Sequence, residues 1–211
     1  MGPLIMKDIR LITSNRATQI FLLLYIPFLL IVAGFDFRAE YMYMVVLVSG
    51  AYMITILSFS YEIGRKTNQL LLSLPVRRVD IVNAKYLFVF AAFGMSGIYT
   101  GIYLGMMKYF LYSELVAFDL GMLKNASILT LLFVSVVLPL FFGLPHKVAN
   151  LLNVFVFVTL FQMFGMGVET LGNIFSSPVF AGGDGVLGIL IGMVLLVISR
   201  QLSLVLFQRR D

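Results

Sequence analysis

Six runs of roughly 20 apolar residues recur along the chain: Ala17 to Phe35, Met42 to Tyr61, Tyr86 to Met106, Ala126 to Phe142, Val148 to Val168, and Val186 to Phe207. Inside lipid every backbone N–H and C=O must find a partner within the segment, so runs of this length predict transmembrane helices. Ahead of the first run, Leu4, Ile5, Ile9, Leu11 and Ile12 fall on one helical face and Lys7, Arg10 and Ser14 on the other. This pattern predicts an amphipathic helix over residues 1–16 lying at the membrane interface. Asp8 and the polar stretch Thr13 to Gln19 argue against its being a mere extension of the first span. The expected fold is all-α: one transmembrane domain over 1–211 with six spans and an interfacial N-terminal helix.

Within the spans, Gly97, Gly101 and Gly105 repeat every fourth residue, as do Gly188 and Gly192. Glycines so spaced let helix backbones approach closely, and these five are candidate packing seams within the chain or between two copies. Pro27 is expected to bend the first span, and Pro139 to bend or end the fourth. The segment 169–185 is rich in Gly and Ser, and around Pro178 it has an apolar centre. It suits a re-entrant hairpin lining a cavity or a seam, and an ordinary surface loop fits it equally.

Charge orients this pattern. Lys7, Arg10, Arg16, Arg65, Lys66, Arg77, Arg78, Lys85, Lys147, Arg200, Arg209 and Arg210 fall in one set of alternate connections; the other set holds Arg38, Lys108 and Lys124. Because positive residues are retained in the cytoplasm, this split places both termini and the loops after spans two and four inside. Orientation also accounts for the net charge of +5, so nucleic acid is not the expected partner. With 61% hydrophobic and 12% charged residues, the chain has too little polar surface to cover a water-soluble core. The run from Ala17 is followed by no small-residue cleavage pattern and is expected to stay as an anchor; Met6 offers an alternative start, with Met1 to Ile5 then an addition.

An enzyme should leave convergent nucleophiles, acids or ligands, and the sequence holds almost none. Cysteine is absent, which excludes disulfides, thiolate metal sites and thiol nucleophiles. His146 is the single histidine, with Asn150 and Asn153 on its helical face but no carboxylate at ligand spacing, so a structural or headgroup-contacting role suits it better than zinc. Glu62 and Glu169 fall at span ends, where water is within reach. Gly64-Arg65-Lys66-Thr67 fails as a phosphate loop: Phe59 occupies the place of the first glycine, and no strand precedes it. Ser49, Tyr52, Thr55 and Ser58 loosely line one face of span two, and Thr159, Gln162, Met166 and Glu169 one face of span five. Either stripe suits a translocation path, for which Ser49, Tyr52, Thr55, Thr159 and Gln162 are the candidates. Hydrogen bonding between packed helices accounts for both equally well.

The connection 62–85 carries the most information. Leu70, Leu71, Leu72 and Leu74 form an apolar knob flanked by Arg65, Lys66, Arg77 and Arg78, in a segment too short to bury it. Such a knob is expected to dock on a partner protein or on the membrane surface. Pro75 is placed to start a new helical segment that runs through Asp80 and Lys85 into span three.

Glu62, Arg65-Lys66-Thr67, Leu72-Ser73-Leu74-Pro75-Val76, Arg78, Ile81-Val82 and Lys85-Tyr86-Leu87 resemble the pattern after span two of ABC-2 type transporter permeases. The motif covers about 26 residues, and the N-terminal helix, the six spans and the inside termini fit that family over the whole chain. The likeness is greatest to compact permeases that export peptides, such as phenol-soluble modulins, or that give self-protection against lantibiotics. The resemblance implies a half-transporter in a bacterial cytoplasmic membrane, in which two permeases, identical or not, pair above two separate ATPase subunits that bind the ATP and Mg. No cofactor is then expected in this chain, which is not itself an enzyme. It further implies that Lys66 to Ser73, including Asn68, form a coupling helix seated in the ATPase. Leu70, Leu71 and Leu72 would fill its cleft, Arg65, Lys66, Arg77 and Arg78 would make peripheral ion pairs, and Glu62 would tie the helix to a basic neighbour, ahead of Ser73 and Pro75. Two competing readings are a membrane assembly or regulatory protein whose loop binds a soluble partner without transport, and a secondary carrier. The carrier lacks intramembrane ion-binding acids and an inverted repeat.

Overall fold

The computed structural model describes residues 2–16, 18–20, 22–25, 39–63, 77–110, 120–165 and 186–209. Among the described residues the principal helices are α1 (Gly2–Ser14), α2 (Ala39–Ile63), α3 (Arg78–Phe110), α4 (Leu120–Gly143), α5 (His146–Gly165) and α6 (Val186–Gln208). No strand occurs among the described residues. Among the described residues three stretches are long and apolar enough to cross a membrane, Arg78–Tyr103, Gly121–Gly143 and Val186–Gln208; Met44–Phe59 and Lys147–Leu160 are shorter apolar helices. The described residues are thus all-helical, and their long apolar stretches are those of a membrane protein. The later part of the expected first span, the 64–76 connection and the 169–185 loop lie outside the described residues.

α4 lies between α2 and α6 and packs most extensively on α6, while α2 also packs along α3. The core is an apolar cluster drawn mainly from these four helices, with Tyr52, Val82, Tyr86, Ile128, Val134 and Leu138 among its buried members. An aromatic chain closes it at one end. Phe59 of α2 stacks on Phe141 of α4 with centroids 5.1 Å apart, and Phe142 meets both Phe59 and Phe207 of α6 at 5.4 Å. α6 turns inward a narrow stripe of Gly188, Gly192, Leu196, Ser199 and Ser203, and from Val186 to Ile198 its large apolar residues outside the stripe are exposed. A stripe of small residues at that spacing is how a lipid-embedded helix gains close backbone contact. A Cβ on Gly192 would stand 3.2 Å from the Leu131 side chain. In α3, Gly97 faces Leu47 of α2, whereas among the described residues nothing comes within 4 Å of a Cβ built on Gly101 or Gly105.

α4 continues through Pro139 to Gly143. Proline has no N–H to return to the carbonyl four residues earlier, so the Ser135 carbonyl loses its helical donor. The structure supplies another: the Ser199 hydroxyl of α6 donates to the Ser135 carbonyl at 2.6 Å. The helix ends four residues later, where Leu144 and Pro145 form a two-residue connection and the Pro145 carbonyl accepts from the N–H groups of Val148 and Ala149 to open α5. Close packing accompanies this turn, since a Cβ on Gly143 would come within 2.8 Å of Leu206.

α1 does not turn its apolar face away from the protein. Ile12 is buried in one cluster with Ile54 of α2 and with Phe88 and Ala92 of α3, and Ile5 and Ile9 pack against that cluster. α1 ends at Ser14, where the Gln19 side chain donates to the Thr13 carbonyl.

Candidate functional site

One end of the bundle gathers most of the chain's chemistry. The N-terminal helix, the two helix ends that flank the 64–76 connection, the α4–α5 turn and the C-terminal turn of α6 all meet there, joined by Asp8–Lys85, Arg78–Phe207 and Phe142–Phe207 contacts. The first turns of α3 are its centre. Arg77 is exposed, and its carbonyl opens α3 by accepting from the N–H groups of Asp80 and Ile81 at 2.9 and 3.3 Å. Asp80 in the first turn complements the positive end of the helix dipole.

From this start α3 reaches three neighbouring helices within eight residues. The Arg78 guanidinium donates to the Phe207 carbonyl at 3.5 Å and lies 5.8 Å from the centre of the Phe207 ring. Asn83 accepts at its Oδ1 from Arg200 Nε of α6 at 2.5 Å. Lys85, buried, donates from Nζ to Asp8 Oδ2 of α1 at 2.9 Å and to Ser58 Oγ of α2 at 2.6 Å, with the Ser58 carbonyl at 3.5 Å. Its ammonium also stands 4.9 Å from the Phe59 ring centre. Asp8 is equally buried, and Lys7 stands 3.8 Å from its Oδ1. Two opposite charges removed from water hold each other in place only when hydrogen bonds saturate them, and here a hydroxyl, a carbonyl and an aromatic face assist the ammonium.

The adjacent residue reaches the other way. Tyr86 places its hydroxyl 2.6 Å from Ser199 Oγ and 2.8 Å from Ser203 Oγ. Ser199 has a single hydroxyl proton, already given to the Ser135 carbonyl. Tyr86 must therefore donate to Ser199 and accept from Ser203, giving a directed chain from Ser203 through Tyr86 and Ser199 to the carbonyl that Pro139 leaves open.

The residues singled out from sequence distribute unevenly over this geometry. Arg77 and Arg78 open α3. Glu62 is in the last turn of α2, with its side chain outside the described residues; Arg65, Lys66, Asn68, Leu70, Leu71, Leu72, Ser73 and Pro75 lie wholly outside them. Ser49, Tyr52 and Thr55 are buried between helices. Ser49 and Thr55 donate to the carbonyls of Val45 and Ala51 one turn back at 2.5 and 2.8 Å, and Tyr52 donates to Asn153 Oδ1 at 2.5 Å while stacking on Phe157. The crevice that Tyr52 and Thr55 share with Val134 and Leu138 has no room for water. Thr159 and Gln162 are exposed on α5, and Thr159 donates back to the Phe155 carbonyl at 2.9 Å.

Sequence reasoning did not find the Asp8–Lys85 pair, although it left a signal: Asp8 falls one turn from both Leu4 and Ile12, an acid inside the apolar stripe of α1. It missed Ser135, Ser199 and Ser203 as well; Pro139 was the cue, since an interior proline requires a substitute donor. Among the described residues no group of three or more acids or histidines could hold a metal ion.

A family model for ABC-2 family transporter proteins matches residues 3–208. The chain belongs to that family. No curated protein and no solved structure matches it. As an ABC-2 permease it is a membrane transport subunit, not the catalytic one, and its family implies an ABC ATPase as partner. The gathering of α1, α2, α3 and α6 around the start of α3 is thus the part of the permease adjoining its loop between α2 and α3.

Proposed function

We propose that this permease is the membrane half of an ATP-driven exporter of amphipathic peptides, in a bacterial cytoplasmic membrane, with six spans and both termini inside. Two copies, or this chain and a related one, would enclose the path, and two ATPase subunits would dock on the loop between α2 and α3. Lys66 to Ser73 serve as the coupling helix. Leu70, Leu71 and Leu72 enter the ATPase cleft, with Arg65, Lys66, Arg77 and Arg78 at its rim and Glu62 bracing it from the end of α2. The observation that carries this reading is the family match together with the anchoring of α3 where it leaves that loop: a helix tied to α1, α2 and α6 within its first turns can pass a push at the loop to the whole bundle. The exposed Thr159 and Gln162 face of α5 is the part of the path that this chain offers to its partner, and peptide is the substrate class through family likeness.

The apolar knob should dominate affinity, since burying one leucine contributes about 1.5 to 3 kcal/mol and an exposed ion pair about 0 to 1. Leu71→Asp is therefore expected to weaken binding of the ATPase roughly 10-fold to 100-fold. The test is purification of the tagged permease from its native membranes, with assay of copurifying ATP hydrolysis. Recovery of an ABC ATPase with the wild-type chain and its loss with Leu71→Asp supports the proposal; a wild-type chain that never retains a nucleotide-hydrolysing subunit refutes it.

A further inference from the structure

We infer that the buried Asp8–Lys85 pair is a register latch that makes the N-terminal helix and the helix leaving the coupling loop move as one body during the transport cycle. The inference rests on the proposed ATP-driven reading and names two positioning residues for it. Its starting point is that a buried ion pair is a poor way to gain stability, because apolar residues of similar volume usually do as well or better. What such a pair does supply is position.

The positions either side of Asp8 show how narrow that position is. Leu4 and Ile12 lie one turn before and one turn after it on the same face of α1. Were α1 to slip along α3 by one turn, about 5.4 Å, the Lys85 ammonium would face a leucine or an isoleucine and would keep Ser58, while Asp8 would keep Lys7 of its own helix, but each charge would lose its buried counter-charge across the interface. The apolar part of the contact sets no such limit. Ile5, Ile9 and Ile12 pack on Ile54, Phe88 and Ala92, and one aliphatic side chain replaces another readily when helices ratchet. Ser58 binds the same ammonium, so the latch also includes the end of α2 on the near side of the loop. A movement delivered at the 64–76 connection therefore reaches α1 through charge, and reaches α6 through the adjacent Tyr86.

The chain has no cysteine, so nitroxide labels can be placed on Met6→Cys and Leu87→Cys, positions 51% and 46% exposed on α1 and α3. Double electron–electron resonance on the permease–ATPase complex in nanodiscs, without nucleotide and with ATP plus vanadate, reads the distance between them. The expected result is one distance in both states for the native pair. In the Asp8→Leu/Lys85→Met background the two states should differ, by roughly one helical turn of 5 Å. Asp8→Lys with Lys85→Asp, which restores opposite charges, should bring the single distance back. Asp8→Asn with Lys85→Gln removes both charges while keeping shape, and it is read in the same way should the apolar pair fail to fold. The inference is overturned if the native distance changes with nucleotide, or if the uncharged pairs keep a single distance. Either result leaves the exporter reading standing, whereas failure of the unmutated permease to retain an ATPase overturns that reading and the inference with it.

Discussion

At Lys85 the permease holds a full charge among apolar helices, and the cost is contained only while Asp8 and Ser58 remain in place. This dictates an asymmetry between single and double variants. Lys85→Met leaves Asp8 buried without its ammonium and should cost about 3 to 5 kcal/mol, whereas Asp8→Leu/Lys85→Met removes both charges and should stay within about 1 to 2 kcal/mol of the native chain. Denaturation of the detergent-purified permease in rising dodecyl sulfate measures the difference. Equal midpoints for the single and double variants would show that the two charges are solvated independently. Residues of this kind were hard to read in sequence because burial, not residue type, decides their role: Lys85 looks like one of many basic residues in the flank of a span, and only the packing of α1 against α3 turns it inward.

At the scale of elements, the interior proline of α4 and the serine stripe of α6 form one device. Pro139 leaves the Ser135 carbonyl open, and Ser199 fills it while receiving from Tyr86. Ser199→Ala should therefore destabilise the permease by roughly 0.6 to 2 kcal/mol, the span of side-chain hydrogen bonds measured within membranes. In a Pro139→Ala background the backbone N–H at position 139 can bond to Ser135 itself, so Ser199→Ala should cost less there, only what Tyr86 loses with its acceptor. The four chains of that cycle, unfolded under the same conditions, give the coupling directly, and strict additivity of the two substitutions would disprove the link.

Helices α6 and α3 show what hydropathy conveys and what it does not. The sixth apolar run, Val186 to Phe207, coincides with α6 within one residue at its end, because a lipid-facing helix needs only length and apolarity. α3 begins at Arg78, eight residues before the apolar run that predicted it, since its polar first turns are held by other helices and not by lipid. Spacing marked Gly97, Gly101 and Gly105 alike, yet of these three a Cβ on Gly97 meets a described neighbour, and the tight approach to α6 at the α4–α5 turn belongs to Gly143, where no repeat calls attention to it.

For the molecule as a whole, the contacts put the N-terminal helix, the ends flanking the 64–76 connection and the C-terminal turn at one end of the bundle. The far end of α3 is well removed. Val79 and Tyr109 are separated by 30 residues of continuous helix, about 45 Å at the α-helical rise, against a hydrocarbon thickness of about 30 Å. If the positive residues fix orientation as they do in other polytopic proteins, the end bearing Lys7, Arg10, Arg77, Arg78 and Arg209 faces the cytoplasm. The cysteine-free chain makes the consequence measurable one position at a time. Tyr109→Cys, at a site 85% exposed, should react in intact cells with a maleimide that cannot cross the membrane, while Met6→Cys and Arg209→Cys should react only after permeabilisation. Labelling of Met6→Cys or Arg209→Cys in intact cells would put the latch, and the loop it serves, on the outer side. No cytoplasmic ATPase could then reach that loop, so the outcome at these positions bears on the transport mechanism as directly as on topology.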